Sequence, residues 1–138
     1  MHVESRILPA RIEQWETVRE FIETYLEQIE CSAKVSYEIL VSAEELFTNI
    51  ASYAYENEDG MAEVSCGVNE ENGVEFRFSF KDWGTPYDPF SRPDPDFEIP
   101  FEERRIGGLG VYMVKKFMDH VEYRYENGCN IVMIGKKL

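Results

Sequence analysis

Glu38-Ile39-Leu40-Val41-Ser42-Ala43-Glu44-Glu45-Leu46-Phe47-Thr48-Asn49-Ile50-Ala51-Ser52-Tyr53-Ala54-Tyr55 is the stretch around which the chain is organised. Its apolar residues recur at helical spacing: Ile39 and Leu40, Ala43, Leu46 and Phe47, Ile50, Ala54. Such a stripe belongs to a helix lying on a core. Glu45 and Asn49 stand four apart, so their side chains share one face, one turn above the other. Both sit beside the stripe, at the margin of the buried face. A carboxylate and a carboxamide held together there suit a hard cation, a water or a hydroxyl.

Before this helix, residues 3 to 8 read as a short first strand ended by Pro9. From Ile12 the pattern turns helical through Trp15, Val18, Ile22, Tyr25, Leu26 and Ile29, with Glu13, Glu16, Glu20, Glu23 and Glu27 opposite. Cys31-Ser32 breaks that helix, and Ser32 or Ser36 can cap the next, which ends near Asn57 to Gly60. Residues 62 to 69 alternate as a strand does, and Glu70-Glu71-Asn72-Gly73 reads as a hairpin turn. Residues 74 to 80 alternate strictly, with Val74, Phe76, Phe78 and Phe80 on one face.

From Trp83 to Ile106 regular structure is not expected, because Pro86, Pro89, Pro93, Pro95 and Pro100 exclude a helix interior or a central strand. A connection of this length is long for a compact domain. Phe90, Phe97, Ile99 and Phe101 give it something to pack with, so a lid over residues 84 to 106 is expected. Gly107-Gly108-Leu109-Gly110 opens a third helix with the stripe Val111, Val114, Phe117, Met118 and Val121. Residues 121 to 125 and 130 to 135 form a last hairpin turning at Asn127-Gly128. The order β-α-α-β-β-lid-α-β-β predicts an α+β two-layer sandwich, a mostly antiparallel sheet covered on one face by three helices. One domain spanning residues 1 to 138 is expected.

Composition narrows the function. Of 138 residues, 43% are hydrophobic and 14% aromatic, which implies a packed core. The formal net charge of −13 should repel a phosphate backbone, so nucleic-acid binding is not expected, whereas a basic protein partner fits. Cys31, Cys66 and Cys129 are far apart and form no CxxC pair, which suggests reduced thiols in a cytoplasmic protein. The first residues lack a basic start followed by an apolar run, and no apolar run reaches the roughly 20 residues of a membrane span.

Two further stretches carry chemistry. Asp82-Trp83-Gly84-Thr85-Pro86-Tyr87-Asp88-Pro89 puts a carboxylate where a strand runs into a glycine-containing loop. There it can form a turn, or accept a hydrogen bond from an amino group in a cleft. Arg104-Arg105-Ile106-Gly107-Gly108-Leu109-Gly110 runs into a helix, whose N-terminal amides and partial positive charge favour phosphate. Arg104, Arg105, Lys115 and Lys116 add local positive charge. A Rossmann reading fails, since these glycines follow a long loop rather than a first strand, and no Gly-Lys-Ser/Thr of a Walker loop is present.

Taken in order, Glu-x-x-x-Asn on a helix, Asp-x-Gly after a strand, a lid, and Gly-Gly-Leu-Gly on a helix resemble the Bergerat ATP-binding fold of gyrase, heat-shock chaperone, histidine-kinase and mismatch-repair ATPases. Within that superfamily the chain looks most like the bacterial anti-sigma factor serine/threonine kinases. The resemblance rests on Ser42 to Asn49, Asp82 to Pro89, and Gly107-Gly108-Leu109-Gly110 through Met118-Asp119. It implies an ATP-dependent protein kinase with Glu45 as general base and Asn49 as ligand of Mg²⁺ on the phosphates. Asp82 would bind the adenine amino group, and Gly84 would let the base sit close. Gly108, Leu109 and Gly110 would bring backbone amides to the phosphates, with Arg105 just before them. The implied partners are a STAS-type anti-anti-sigma protein carrying the target serine, a sigma factor, and a second copy of the chain. Two features depart from or refine the pattern: Tyr53 stands where the family often has His, and Asp-x-Gly-x-Pro replaces Asp-x-Gly-x-Gly, as is common in the anti-sigma branch. Two other readings remain open: a nucleotide-responsive binding module without kinase activity, and a detached ATP-binding domain serving a histidine kinase.

Overall fold

A computed structural model of the chain describes residues 3–56, 58–91, 93, 94, 98 and 109–138. Five strands form one sheet: β1 (Glu4–Pro9), β2 (Met61–Asn69), β3 (Glu75–Asp82), β4 (His120–Glu126) and β5 (Cys129–Lys137). Their spatial order is β1-β2-β3-β5-β4, and every neighbouring pair is antiparallel. Three helices, α1 (Trp15–Ile29), α2 (Ala33–Tyr53) and α3 (Leu109–Phe117), accompany the sheet, the α+β arrangement of the Bergerat fold. A short 3₁₀ turn, Ile12–Gln14, leads into α1.

The helices form where the apolar spacing requires. Helix α1 buries Val18, Ile22, Tyr25 and Leu26, and leaves its glutamate face in water. Helix α2 buries Ile39, Ala43, Leu46, Phe47 and Ile50. Ser32 rather than Ser36 caps it, the hydroxyl accepting a hydrogen bond from the Val35 N–H at 3.1 Å. Strand β3 presents Phe76, Phe78, Phe80 and Asp82 to the helices, because alternate residues share a face. Phe80 meets Phe47 of α2 at 6.0 Å between ring centroids, and Phe76 meets Tyr25 of α1 at 5.7 Å. Two helices are thereby pinned to one strand by tilted aromatic contacts.

Two expectations change at their ends. Val74 lies outside the phenylalanine face and is exposed, because pairing of β3 starts only at Glu75. Helix α3 stops at Phe117, so Val121 belongs to β4, opposite Ile134. The sheet captures the chain there: the Asp119 N–H bonds the Gly135 carbonyl at 2.9 Å, and the Asp119 carboxylate accepts from the Lys137 N–H at 2.8 Å. The last hairpin does turn at Asn127-Gly128, both at positive φ (52° and 78°), the pair of angles that a two-residue type I′ turn requires. Most of the lid expected over residues 84 to 106 lies outside the described residues. Its described start, Gly84 to Ser91, includes a 3₁₀ turn at Pro89–Ser91.

Tyr55, just past α2, fastens the end of the sheet where β3 runs out at Asp82. Its hydroxyl donates to the Met61 carbonyl at 2.6 Å and accepts from the Trp83 N–H at 2.8 Å, joining the start of β2 to the end of β3.

Phe78 is fully buried among these rings, so Phe78→Ala should lower unfolding stability by about 3–5 kcal/mol in a denaturant titration. Ser32→Ala should cost only about 1 kcal/mol. A smaller loss for Phe78 than for Ser32 would contradict the core described here.

Candidate functional site

Asp82 is the next residue in phase after Phe80, so the pleat turns it to the helix side with the phenylalanines. It is buried, and its cross-strand neighbours are Ala62 on β2 and Asn130 on β5. A carboxylate in such a place needs hydrogen bonds. Oδ1 of Asp82 accepts from the Gly84 N–H at 2.9 Å and from Nδ2 of Asn130 at 2.9 Å. Burial holds this carboxyl above the ordinary aspartate range, and the two hydrogen bonds pull it part of the way back.

Next to Asp82 lies a cavity of about 220 Å³. Its wall on α2 and just beyond is Leu46, Asn49, Ile50, Tyr53, Ala54 and Glu56. Its floor on the sheet is Asp82, Asn130 and Val132, and the loop residues Thr85, Pro86, Tyr87 and Pro89 close the third side. The cavity is therefore apolar along most of its wall and carries a few polar groups at fixed places, as small-ligand sites usually do. Asn49 and Asp82, far apart in sequence, line it together.

Gly84 does not itself line the cavity. Its α-carbon is packed against the backbone carbonyl of Ala54, where any side chain would collide, and the next residue seals the contact with Thr85 N–H to Ala54 O at 3.0 Å. The glycine lets the loop approach the end of α2. Gly110, in the first turn of α3, lies directly against the Glu45 carboxylate, in space a Cβ would fill. Glu45 is half-buried one turn before Asn49 on α2, and thus lies between the cavity wall and the start of α3. Leu109 begins α3, while Arg104, Arg105, Gly107 and Gly108 lie outside the described residues. Lys115 pairs with Asp94 at 3.1 Å, and Lys116 lies 5.3 Å from the Tyr112 ring centre, so both lysines have local partners.

Asn130 was not among the residues singled out from the sequence. Next to the Asn127-Gly128 turn it reads as ordinary hairpin polarity, and only the register places it opposite Asp82. Glu56 is likewise a cavity residue that a helical stripe does not mark, and Tyr53, which stands where the family often has His, lines the cavity as well. The three cysteines are free thiols, and burial pushes Cys66 up to about 12, which makes it inert. No helix among the described residues is long and apolar enough to cross a membrane.

Comparison with known proteins identifies the family. A family profile described as histidine kinase-like ATPase domain matches residues 8–136. Serine-protein kinase RsbW of Listeria innocua is 32% identical over 117 residues, covering 78% of this chain and 73% of that protein. RsbW of Bacillus mycoides is 28% identical over 102 residues, 67% of this chain and 59% of that protein. Among solved structures, the RsbU and RsbW domains of Rv1364c from Mycobacterium tuberculosis share the fold with a TM-score of 0.67 at 16% identity. That match covers 100% of this chain and 33% of the longer one. The chain belongs to the histidine kinase-like ATPase domain family, and within it to the group of anti-sigma factor serine kinases represented by RsbW.

Proposed function

We propose that this protein is an ATP-dependent protein serine/threonine kinase that acts as an anti-sigma factor in the cytoplasm. It would transfer phosphate from ATP to a serine of a STAS-type anti-anti-sigma protein and would sequester a sigma factor. The observation that carries the reading is the meeting of Asn49 and Asp82 in one cavity, with Glu45 one turn from Asn49 and against Gly110. The names of the RsbW relatives support serine kinase activity.

In this reading Asp82 accepts a hydrogen bond from the adenine amino group, and the apolar wall of the cavity takes the ring. Asn49 faces the cavity and offers one neutral oxygen. Among the described residues no group of three or more His, Cys, Asp or Glu could hold a metal ion. That donor set suits Mg²⁺, which binds few protein ligands and keeps phosphate oxygens and waters. Bound there, Mg²⁺ would neutralise phosphate charge. Glu45 would hold the serine hydroxyl and take its proton, which needs hydrogen-bond reach to the nucleophile more than a covalent role. The first turn of α3 offers backbone N–H groups and the positive end of its dipole. Leu109 and Gly110 belong to that turn, and Gly108 and Arg105 would extend it toward the phosphates.

A second reading, a nucleotide-responsive binding module without transfer, is favoured by one detail: the Glu45 carboxylate lies on Gly110 and is not part of the cavity lining. Glu45→Gln separates the two. In the kinase reading it binds Mg²⁺-ATP like wild type but loses phosphate transfer to the serine partner by at least about 100-fold, the scale of general-base catalysis. If wild type binds ATP and transfers nothing, the module reading replaces the first. Wild type at 100 times its Kd for Mg²⁺-ATP should gain about 2.7 kcal/mol of stability, a shift that Asn49→Ala should abolish in thermal melts.

Gly110→Ala should resemble Glu45→Gln. The new methyl displaces the far end of a flexible carboxylate rather than backbone, so transfer should fall while the ligand-free Tm stays within a few degrees of wild type. Asp82→Asn tests the buried acid. Its folded pKa is raised, so the folded state binds the proton more tightly, and stability rises as pH falls through that pKa. At neutral pH Asp82→Asn should therefore melt at or above the wild-type temperature while the ATP-induced shift shrinks. The difference in ligand-free Tm should close as the pH is lowered.

A further inference from the structure

We propose that Asn130 is the positioning residue of the nucleobase subsite: its carboxamide aims the Asp82 carboxylate and clasps the loop behind it, and so sets the preference for a 6-amino over a 6-oxo purine. The proposal rests on the assignment of Asp82 to adenine made above. Asn130 is almost fully buried and touches five polar atoms. Nδ2 donates to Asp82 Oδ1 at 2.9 Å and to the Thr85 carbonyl at 3.0 Å, with the Gly84 carbonyl at 3.4 Å sharing a hydrogen. Oδ1 accepts from the Tyr87 N–H at 3.0 Å and from the Tyr123 hydroxyl at 2.6 Å. The amide orientation is fixed by its surroundings, since the flipped form would set a carbonyl oxygen against three other oxygens.

This arrangement does two things. It binds three backbone groups of the loop 84–87, a wall of the cavity, to the floor at β5. It also occupies Oδ1 of Asp82 together with the Gly84 N–H, which leaves Oδ2 as the oxygen to accept from a ligand. Two donors on one oxygen stabilise the ionised carboxylate, which can only accept. An acceptor favours an exocyclic amino group and repels an exocyclic carbonyl oxygen. Removal of the amide donor favours the neutral acid, which can also donate, and discrimination should fall. Among the described residues, Tyr55 beyond α2 and Tyr123 on β4 interact with Asp82 and Glu56 lines the same cavity, and none of these supplies a cation.

The test is a double-mutant cycle on nucleotide binding, with full-length protein, Mg²⁺-ATP and Mg²⁺-GTP, read by calorimetry. Asn130→Ala should weaken ATP binding about 10- to 100-fold, the range for losing a hydrogen bond to a charged group, and should narrow the ATP-to-GTP ratio by a similar factor. In the Asp82→Asn background the same change should cost clearly less and leave the ATP-to-GTP ratio unchanged, because the part of the effect that discriminates the bases acts through Asp82. Losses that multiply, or an ATP-to-GTP ratio that Asn130→Ala alone leaves unchanged, overturn the proposal and leave Asn130 a structural residue. Should Asn130→Ala not fold, Tyr123→Phe serves: it removes one donor to Asn130, should weaken ATP binding several-fold in wild type, and should do nothing in Asp82→Asn. An equal loss in both backgrounds overturns the proposal. If Asp82→Asn alone binds ATP like wild type, the adenine assignment itself is wrong, and this inference falls with it.

Discussion

A carboxylate placed in a row of phenylalanines is the constraint on which the rest depends. Phe76, Phe78, Phe80 and Asp82 alternate along β3 and face the same helices. The first three are fully buried and stabilise the fold through burial and ring contacts. The fourth is buried as well, and removing its charge from water costs free energy. The structure offsets that cost locally with the Gly84 N–H and the Asn130 amide. A leucine at this place would need neither. Such a carboxylate is weak evidence for stability and better evidence for a site, because perturbed ionisable groups beside cavities are candidate functional groups.

Around this acid, two glycines set how closely the elements approach. Gly84 brings the loop onto the Ala54 carbonyl, which closes the cavity beneath Thr85 and Pro86. Gly110 brings α3 onto Glu45, which couples the start of one helix to the acid on another. Neither glycine has a positive φ, so close approach rather than backbone conformation explains both. The two contacts lie at the two ends of the stretch from Glu45 on α2 to Ala54 just past it. The Glu45 contact and the cavity wall at Asn49 lie one turn apart along that helix.

Much of this was legible in the sequence, for identifiable reasons. The α2 stripe and the β3 alternation have strong periods, and burial follows them. Glu45, Asn49, Asp82 and Gly110 were marked because each stands at a structural junction: a helix margin, a strand end, a helix start. Asn130 was not, because its role depends on register, and a one-residue slip of β5 would have turned it to the other face. Val121 fits both the helical spacing of Phe117 and Met118 and the strand of the last hairpin, and pairing with β5, which takes the chain from Asp119 onward, decides for the strand. Val74 kept the strand period but lay one residue before the ladder began.

Charge sets the last condition on the site. The chain carries a net −13, and a polyphosphate entering it would meet repulsion before any contact formed. Lys115 and Lys116 do little to offset this, since one is paired with Asp94 and the other lies over Tyr112. In the proposed reading, positive potential for a nucleotide comes from the N-terminal turn of α3, from Arg104 and Arg105, which precede it in sequence and lie outside the described residues, and from a divalent cation carried by the phosphates. Only the first and the last act without a charged side chain. Binding that depends on them should be more sensitive to the metal than to bulk salt, because a metal-bridged phosphate is partly neutralised before it reaches the acidic surface. The same surface that resists free polyanions is suited to a basic face of a protein partner. The acidity of the chain and the proposed binding of a magnesium-bound nucleotide are therefore compatible, provided that the charge is neutralised at the phosphates and not by the protein's own lysines.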